Sequence, residues 1–196
     1  PILYKILFYL PAICTSTIVG TVFSKIFETN RGYLNVILRA LHLDFLCQQW
    51  LATPKTALAC LLFVNIWQWT GYSMLMYYTN MLNIPQDLYE SATIDGAGSF
   101  KQFIYITFPL LRGTHITLII LDILGALKFF DLSYVLTDGG PAHATETFST
   151  YIYTKSFSTF QQGQASTIVV YMFLIAMVLT VIQLKIYYKK DKKEMS

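Results

Sequence analysis

The residues of this chain with types and spacing suited to chemistry are few and lie apart. Asp87, Glu90 and Asp95 place three acids within a polar stretch, PQDLYESATIDGAGSFKQFIYITFP, over residues 85–109. Asn65, Gln68, Trp69 and Tyr72 set two amides beside two aromatic rings. Amides bond hydroxyls and an aromatic face stacks on the apolar face of a pyranose, so this group suits a hydroxyl-rich ring. Asn65, Trp69 and Tyr72 fall on one helical side. Polar contacts and ordinary packing between helices account for the same residues equally well. Asp122 and Lys128 stand in an apolar run, where a charge costs about 2.5–3.5 kcal/mol on insertion scales and must face a cavity, a partner helix or the interface. They are six residues apart and share no face, whereas His115 and Asp122, seven apart, share one at a separation of two turns. For Asp122, contact with a substrate and a bond to a neighbouring helix both stay open; Lys128 reads as reaching the outer interface.

Other chemistries find no support. No G-x-x-x-x-G-K-[ST] phosphate loop is present, so the chain is not expected to bind ATP itself, and H-E-x-x-H and G-x-S-x-G are absent too. His42, His115 and His143 are scattered, and Cys14, Cys47 and Cys60 show no C-x-x-C spacing, so neither a catalytic residue nor a metal site is expected. Of the 196 residues 55% are hydrophobic and 13% charged, against about 25% charged in an ordinary soluble domain. That is a membrane composition. Five of the fourteen basic residues behind the net charge of +3 are Lys185, Lys189, Lys190, Lys192 and Lys193, a topology signal more than a nucleic-acid footprint.

The elements that must position these residues are membrane helices. Spans are expected over about 6–27, 56–78, 110–130 and 165–184, each near the roughly 20 residues that cross the hydrocarbon core. Pro11 lies in the first turns of the first. Residues 28–55 form a connection in which Leu38, Leu41 and Phe45 suggest a short interfacial helix. Residues 131–164 are longer than a structureless loop and must contain structure. Asp138-Gly139-Gly140-Pro141 marks a turn there, and Phe148, Tyr151 and Ile152 an amphipathic helix. Lysines near a span end favour the cytoplasm, which puts the C-terminus and 85–109 inside and 28–55 and 131–164 outside. The chain begins at Pro1 rather than Met, and an N-terminally truncated piece is expected.

Within 85–109, proline suits a helix start, and Leu88, Tyr89 and Ala92 give that helix an apolar side. Gly96 and Gly98 interrupt it after roughly 16 Å. Ser99 and Gln102 have capping-box spacing for a second helix, which Pro109 ends or turns. By itself this pattern fits either an interfacial loop packed on its own bundle or a limb offered to a partner.

Glu90-Ser91-Ala92, Asp95-Gly96-Ala97, Phe103 and Ile106-Thr107-Phe108-Pro109 closely resemble the EAA signature of bacterial ATP-binding-cassette importer permeases, with Ser91 for Ala and Phe108 for Leu as departures. Residues 130–141, FDLSYVLTDGGP, followed by Thr145-Glu146-Thr147, resemble the sugar-uptake branch related to the maltose permease. The resemblance implies an all-α polytopic membrane helical bundle, a single permease domain of about six spans of which this chain holds the last four. It implies a coupling role for Asp87, Glu90, Ser91, Ala92, Asp95, Gly96, Ala97 and Pro109, docked on a cytoplasmic ATPase. It further implies a bacterial inner-membrane location, a second permease subunit, two ATPase subunits that use ATP-Mg, an external solute-binding protein docking near Asp138, Gly139, Gly140 and Pro141, and a sugar substrate moved by alternating access. The pathway candidates are Asn65, Gln68, Trp69, Tyr72 and Asp122. Glycerol phosphate is a rival substrate that would want several cavity cations, with only Lys128 at hand; an ion-coupled secondary transporter would want a paired relay for Asp122.

Overall fold

A computed structural model of the chain describes the backbone of residues 2–194 and the side chains of 3–185. Every regular element among the described residues is helical. The order is α1 Ile2–Ile13, α2 Ser16–Ile26, α3 Tyr33–Ala40, α4 Pro54–Met81, α5 Gln86–Ile94, α6 Ser99–Gln102, α7 Phe108–Leu110, α8 Arg112–Leu127, α9 Asp131–Thr137, α10 Phe148–Tyr153 and α11 Gln162–Glu194.

The longest inner helix, α4, is the spine. Proline at its start suits the first turn, and 28 residues extend about 42 Å at 1.5 Å each. Gly71 lets α1 run antiparallel against it: a Cβ there would overlap the Phe8 carbonyl and lie 2.8 Å from Tyr9 Cα. Lys5 Nζ sits 3.3 Å from the centre of the Tyr78 ring, further along the same contact. The core lies where α2, α4 and α9 meet, built from Val19, Phe27, Leu61, Val64, Leu132 and Leu136.

The continuous span expected over 6–27 is instead two helices that meet at 93°. Pro11 cannot donate within α1, and Thr15 is extended and caps α2 by accepting from the Ile18 N–H. Gln68 then reaches across from α4 and donates to the freed Cys14 carbonyl at 3.0 Å. A second bent pair joins Ser99–Leu110 to Arg112–Leu127 at 62°. Here the chain passes through a π-turn at Phe103–Thr107, and the break falls at Leu111, two residues after Pro109. The apolar run expected to begin near 110 therefore continues a helical limb that starts at Ser99.

By length and composition one described helix is long and apolar enough to cross a membrane, α11 over Gln162–Lys185, or up to three if each bent pair is one span. α4 has the length but carries Asn65, Gln68 and Thr70 near its middle. The short helix expected within 28–55 is α3, and it ends before Leu41: His42, at φ 57°, turns the chain so that Phe45 belongs to a separate short turn. Asn35 clamps this connection, donating to the Thr29 and Gln48 carbonyls at 2.9 and 3.0 Å and accepting from Trp50 Nε1 at 2.8 Å. The side chains of Lys189, Lys190, Lys192 and Lys193 lie outside the described residues.

Candidate functional site

The stretch 85–109 folds as two helical limbs on a glycine elbow. Pro85 caps α5 from an extended backbone, and Asp87 sits in its first turn, where the helix dipole favours an acid. At the other end the Gly96 N–H bonds the Thr93 carbonyl and the Ala97 N–H bonds the Ala92 carbonyl. With Gly96 left-handed at φ 74°, this is a Schellman cap, which a residue with a Cβ enters only with strain. Ala92 and Ala97 are the facing pair such a cap brings together, and both are half-buried.

Ser99 does not cap the second limb. Gly98 holds that position, and Gln102, expected to complete a capping box, reaches back to the first limb instead. Its Nε2 donates to Thr93 Oγ1 at 2.9 Å and to the Ala97 carbonyl at 3.1 Å. With Tyr89 Oη 2.8 Å from Thr107 Oγ1, the elbow is locked to the bent helix pair behind it. Tyr89 and Ala92 face inward as their spacing predicted, while Leu88 is exposed.

Asp87, Glu90, Ser91, Asp95 and Gly96 all face solvent, and the three acids form no ion pair among the described residues. Ile94 and Phe100 stand out beside them, 87% and 75% exposed. The limb thus exposes two large apolar side chains together with three carboxylates. Such a surface fits a partner pocket with an apolar floor and a basic rim.

The second group divides. Trp69 and Tyr72 meet edge to face with ring centres 6.2 Å apart, and Asn65 is half-buried on the same side of α4. Gln68, at the edge of that stripe, is 1% exposed and committed to the Cys14 carbonyl. It is withdrawn from any ligand that meets Trp69. Asp122 is exposed on α8 with no hydrogen bond or ion pair, so the bond to a neighbouring helix is not made among the described residues.

The turn 138–141 is built from within. Asp138 and Gly139 are left-handed, at φ 51° and 77°. Thr145, 2% exposed, donates to the Gly140 carbonyl at 2.8 Å, and its own carbonyl accepts from Ser133 Oγ at 2.5 Å. Gly139 is buried beneath this network, so its place is conformational; Asp138, Ala142 and His143 form the exposed rim. The Tyr153 phenol, packed edge to face with ring centres 5.0 Å apart, pushes the nearby Tyr134 hydroxyl up from its usual range, with Asp138 adding a smaller push.

The sequence matches, over residues 2–190, the model of the family described as binding-protein-dependent transport system inner membrane component. The chain belongs to that family. It is 35% identical over 97% of its length to the "Probable ABC transporter permease protein YurN" of Bacillus subtilis, covering 65% of that protein. It is 29% identical over 94% of its length to the "Arabinooligosaccharides transport system permease protein AraP" of the same species, covering 59% of it. Its fold superposes with a TM-score of 0.86 on a chain of a bacterial ABC transporter involved in the import of the acidic polysaccharide alginate, at 23% identity, over 95% of this chain and 65% of that one. The chain thus spans less than two thirds of the length of these relatives.

Family membership makes this chain an inner-membrane component of a binding-protein-dependent transport system. Pro11 and Pro109 marked in the sequence where the two bent helices weaken, but the size and direction of each bend are set by neighbours. Gly71 was visible only as a glycine among aromatic residues, and its close contact with Phe8 needs the partner helix to be known. Tyr77 and His115, 2.8 Å apart across α4 and α8, carry no local pattern either.

Proposed function

We propose that this chain is the transmembrane permease subunit of an ATP-driven, binding-protein-dependent importer that brings an oligosaccharide into the cell by alternating access. The observation that carries the reading is the exposed, internally locked limb at 86–102, whose large apolar side chains and three acids, without an ion pair among the described residues, suit docking on a cytoplasmic ATPase. ATP-Mg belongs to two such ATPase subunits; this permease binds none. Closure of the ATPases pushes α5, and the Tyr89–Thr107 contact hands that push to the bent helices behind it, tilting them between two packed arrangements.

In this reading the C-terminus and the coupling limb are cytoplasmic. Segment 131–164 faces outward and receives the solute-binding protein at the rim around Asp138 and His143. A second permease subunit completes the pathway, with lipid around both. A neutral oligosaccharide suits the chain better than an acidic one: an anion in a low-dielectric pathway requires cationic partners, and Lys25, Arg112 and Lys128, the cations inside the apolar runs expected to span, each stand two residues from the end of a run. Trp69 and Tyr72, with Asn65 beside them, are the rings on which a sugar would stack.

The test is to purify the full-length protein with its cytoplasmic ATPases and binding protein, place the complex in vesicles and measure ATP-driven uptake of labelled arabinotriose, maltotriose and alginate trisaccharide. ATP-dependent uptake of a neutral sugar is expected. Uptake that persists without ATP and collapses with the proton gradient would instead make the chain a secondary transporter.

A further inference from the structure

His115 joins two helices that the coupling limb must move together. Its Nε2 lies 3.1 Å from the Phe108 carbonyl, at the break in the bent pair, and its Nδ1 lies 2.8 Å from Tyr77 Oη on α4. A carbonyl only accepts, so Nε2 carries a hydrogen; in the neutral ring Nδ1 is then an acceptor, and the Tyr77 hydroxyl donates to it. The two bonds fix the tautomer and leave no spare polar atom on the ring. Phe108 packs on the same ring, with centres 4.6 Å apart, and Tyr77 lies at 5.3 Å.

The position of this contact is what gives it a role. Thr107, which holds Tyr89 of the coupling limb, is the residue before Phe108, whose carbonyl His115 holds. The chain of contacts therefore runs from α5 through Tyr89 and Thr107 to the helix break, and from there through His115 to Tyr77 and α4. Nearby, a cleft of about 470 Å³ separates the inner end of α4 from the first turns of α8, lined by Asn80, Asn83, Gly113 and Thr114. Helix ends kept apart by such a cleft have room to move relative to one another. A side-chain bridge across them sets whether they move as one.

We infer that His115 is a positioning residue for coupling: it clasps the break at 108–111 to α4, so that displacement of the coupling limb moves α4 and α8 together and each ATP spent yields a complete opening. This rests on the importer reading above. With the clasp undone, the limb still docks and the ATPases still turn over, but α8 yields without carrying α4, and ATP is consumed without transport.

The readout is the number of ATP molecules hydrolysed per sugar taken up, measured with whichever of arabinotriose and maltotriose the wild-type complex imports. His115→Ala is expected to raise that ratio at least threefold while the subunits still co-purify. Tyr77→Phe, which removes one hydroxyl, is expected to shift it the same way, and the double variant no further than His115→Ala alone, because both changes open one link. His115→Gln, whose amide offers both an N–H donor and a carbonyl acceptor, should restore most of the coupling. A ratio unchanged in Tyr77→Phe and His115→Ala, or raised by each independently, overturns the inference. If His115→Ala fails to assemble, Tyr77→Phe and His115→Gln decide it. A wild-type complex that imports without ATP would instead refute the importer reading, so the two failures are distinguishable.

Discussion

Replacing Gly96 separates what the elbow demands of its own backbone from what a partner demands of it. The residue sits at φ 74°, and a Cβ built there meets nothing within 4 Å. Within this chain the cost of Gly96→Ala is therefore conformational alone, about 1–2 kcal/mol for an L residue held left-handed. A β-branched valine costs more, because such residues are outliers at positive φ. Every 1.4 kcal/mol is tenfold in an equilibrium, so the locked elbow falls roughly five- to thirtyfold relative to open forms in Gly96→Ala. Asn enters this region more readily than other residues with a Cβ, so Gly96→Asn keeps most of the backbone while adding a side chain that points away from the permease. The assay is co-purification of the ATPases with the full-length protein, together with uptake in vesicles. Loss with Ala and Val but not Asn would mean that the partner needs the cap geometry. Loss with all three would mean that the partner approaches too closely for any side chain. Full co-purification and uptake in Gly96→Val would refute the assignment of this elbow to coupling.

Three further outcomes follow from the geometry. Gly71→Ala drives a methyl into the Phe8 carbonyl and, by separating α1 from α4, strains the Gln68–Cys14 bond; overpacking at 1–3 kcal/mol and a hydrogen bond near 1 together give a loss of about 2–4 kcal/mol, read as lower membrane abundance and a lower Tm in detergent. Trp69→Ala removes a half-exposed ring whose stacking is worth about 0.5–1.5 kcal/mol, so uptake affinity should fall roughly two- to tenfold with abundance unchanged, and an equal fall in both would assign the ring to packing. Asn35→Ala leaves the Trp50 indole N–H and two carbonyls unpaired, at about 1–3 kcal/mol for a buried group left unsatisfied, and should expose the 28–55 connection to proteolysis.

The Gln102 side chain shows where local reasoning stops. Its spacing from Ser99 is that of a capping box, yet Gly98 takes the cap and the amide turns back to Thr93 and Ala97. The elbow folds the two limbs close enough that the Thr93 hydroxyl and the Ala97 carbonyl outcompete the start of α6 for that donor. Leu38, Leu41 and Phe45 fail in the same way, since one left-handed residue, His42, divides a periodicity that looked continuous. Gln68 stands at the edge of the stripe that carries Trp69 and Tyr72, but it is buried against α1 and the carbonyl that the break leaves open at Cys14 claims it.

By itself the sequence determined the all-helical class, the polar limb with its glycine elbow, the turn at 138–141 and the family, because each rests on local chemistry: apolar length, proline and glycine backbone limits, and side chains read at fixed spacing. Tertiary structure decided where helices bend, which amides are spent inside the fold, and how the limb at 86–102 is fastened to the helices behind it. Those depend on which carbonyls a bend leaves open and which distant donor lies within about 3 Å of them. Such meetings across tens of residues have no signature in composition or period.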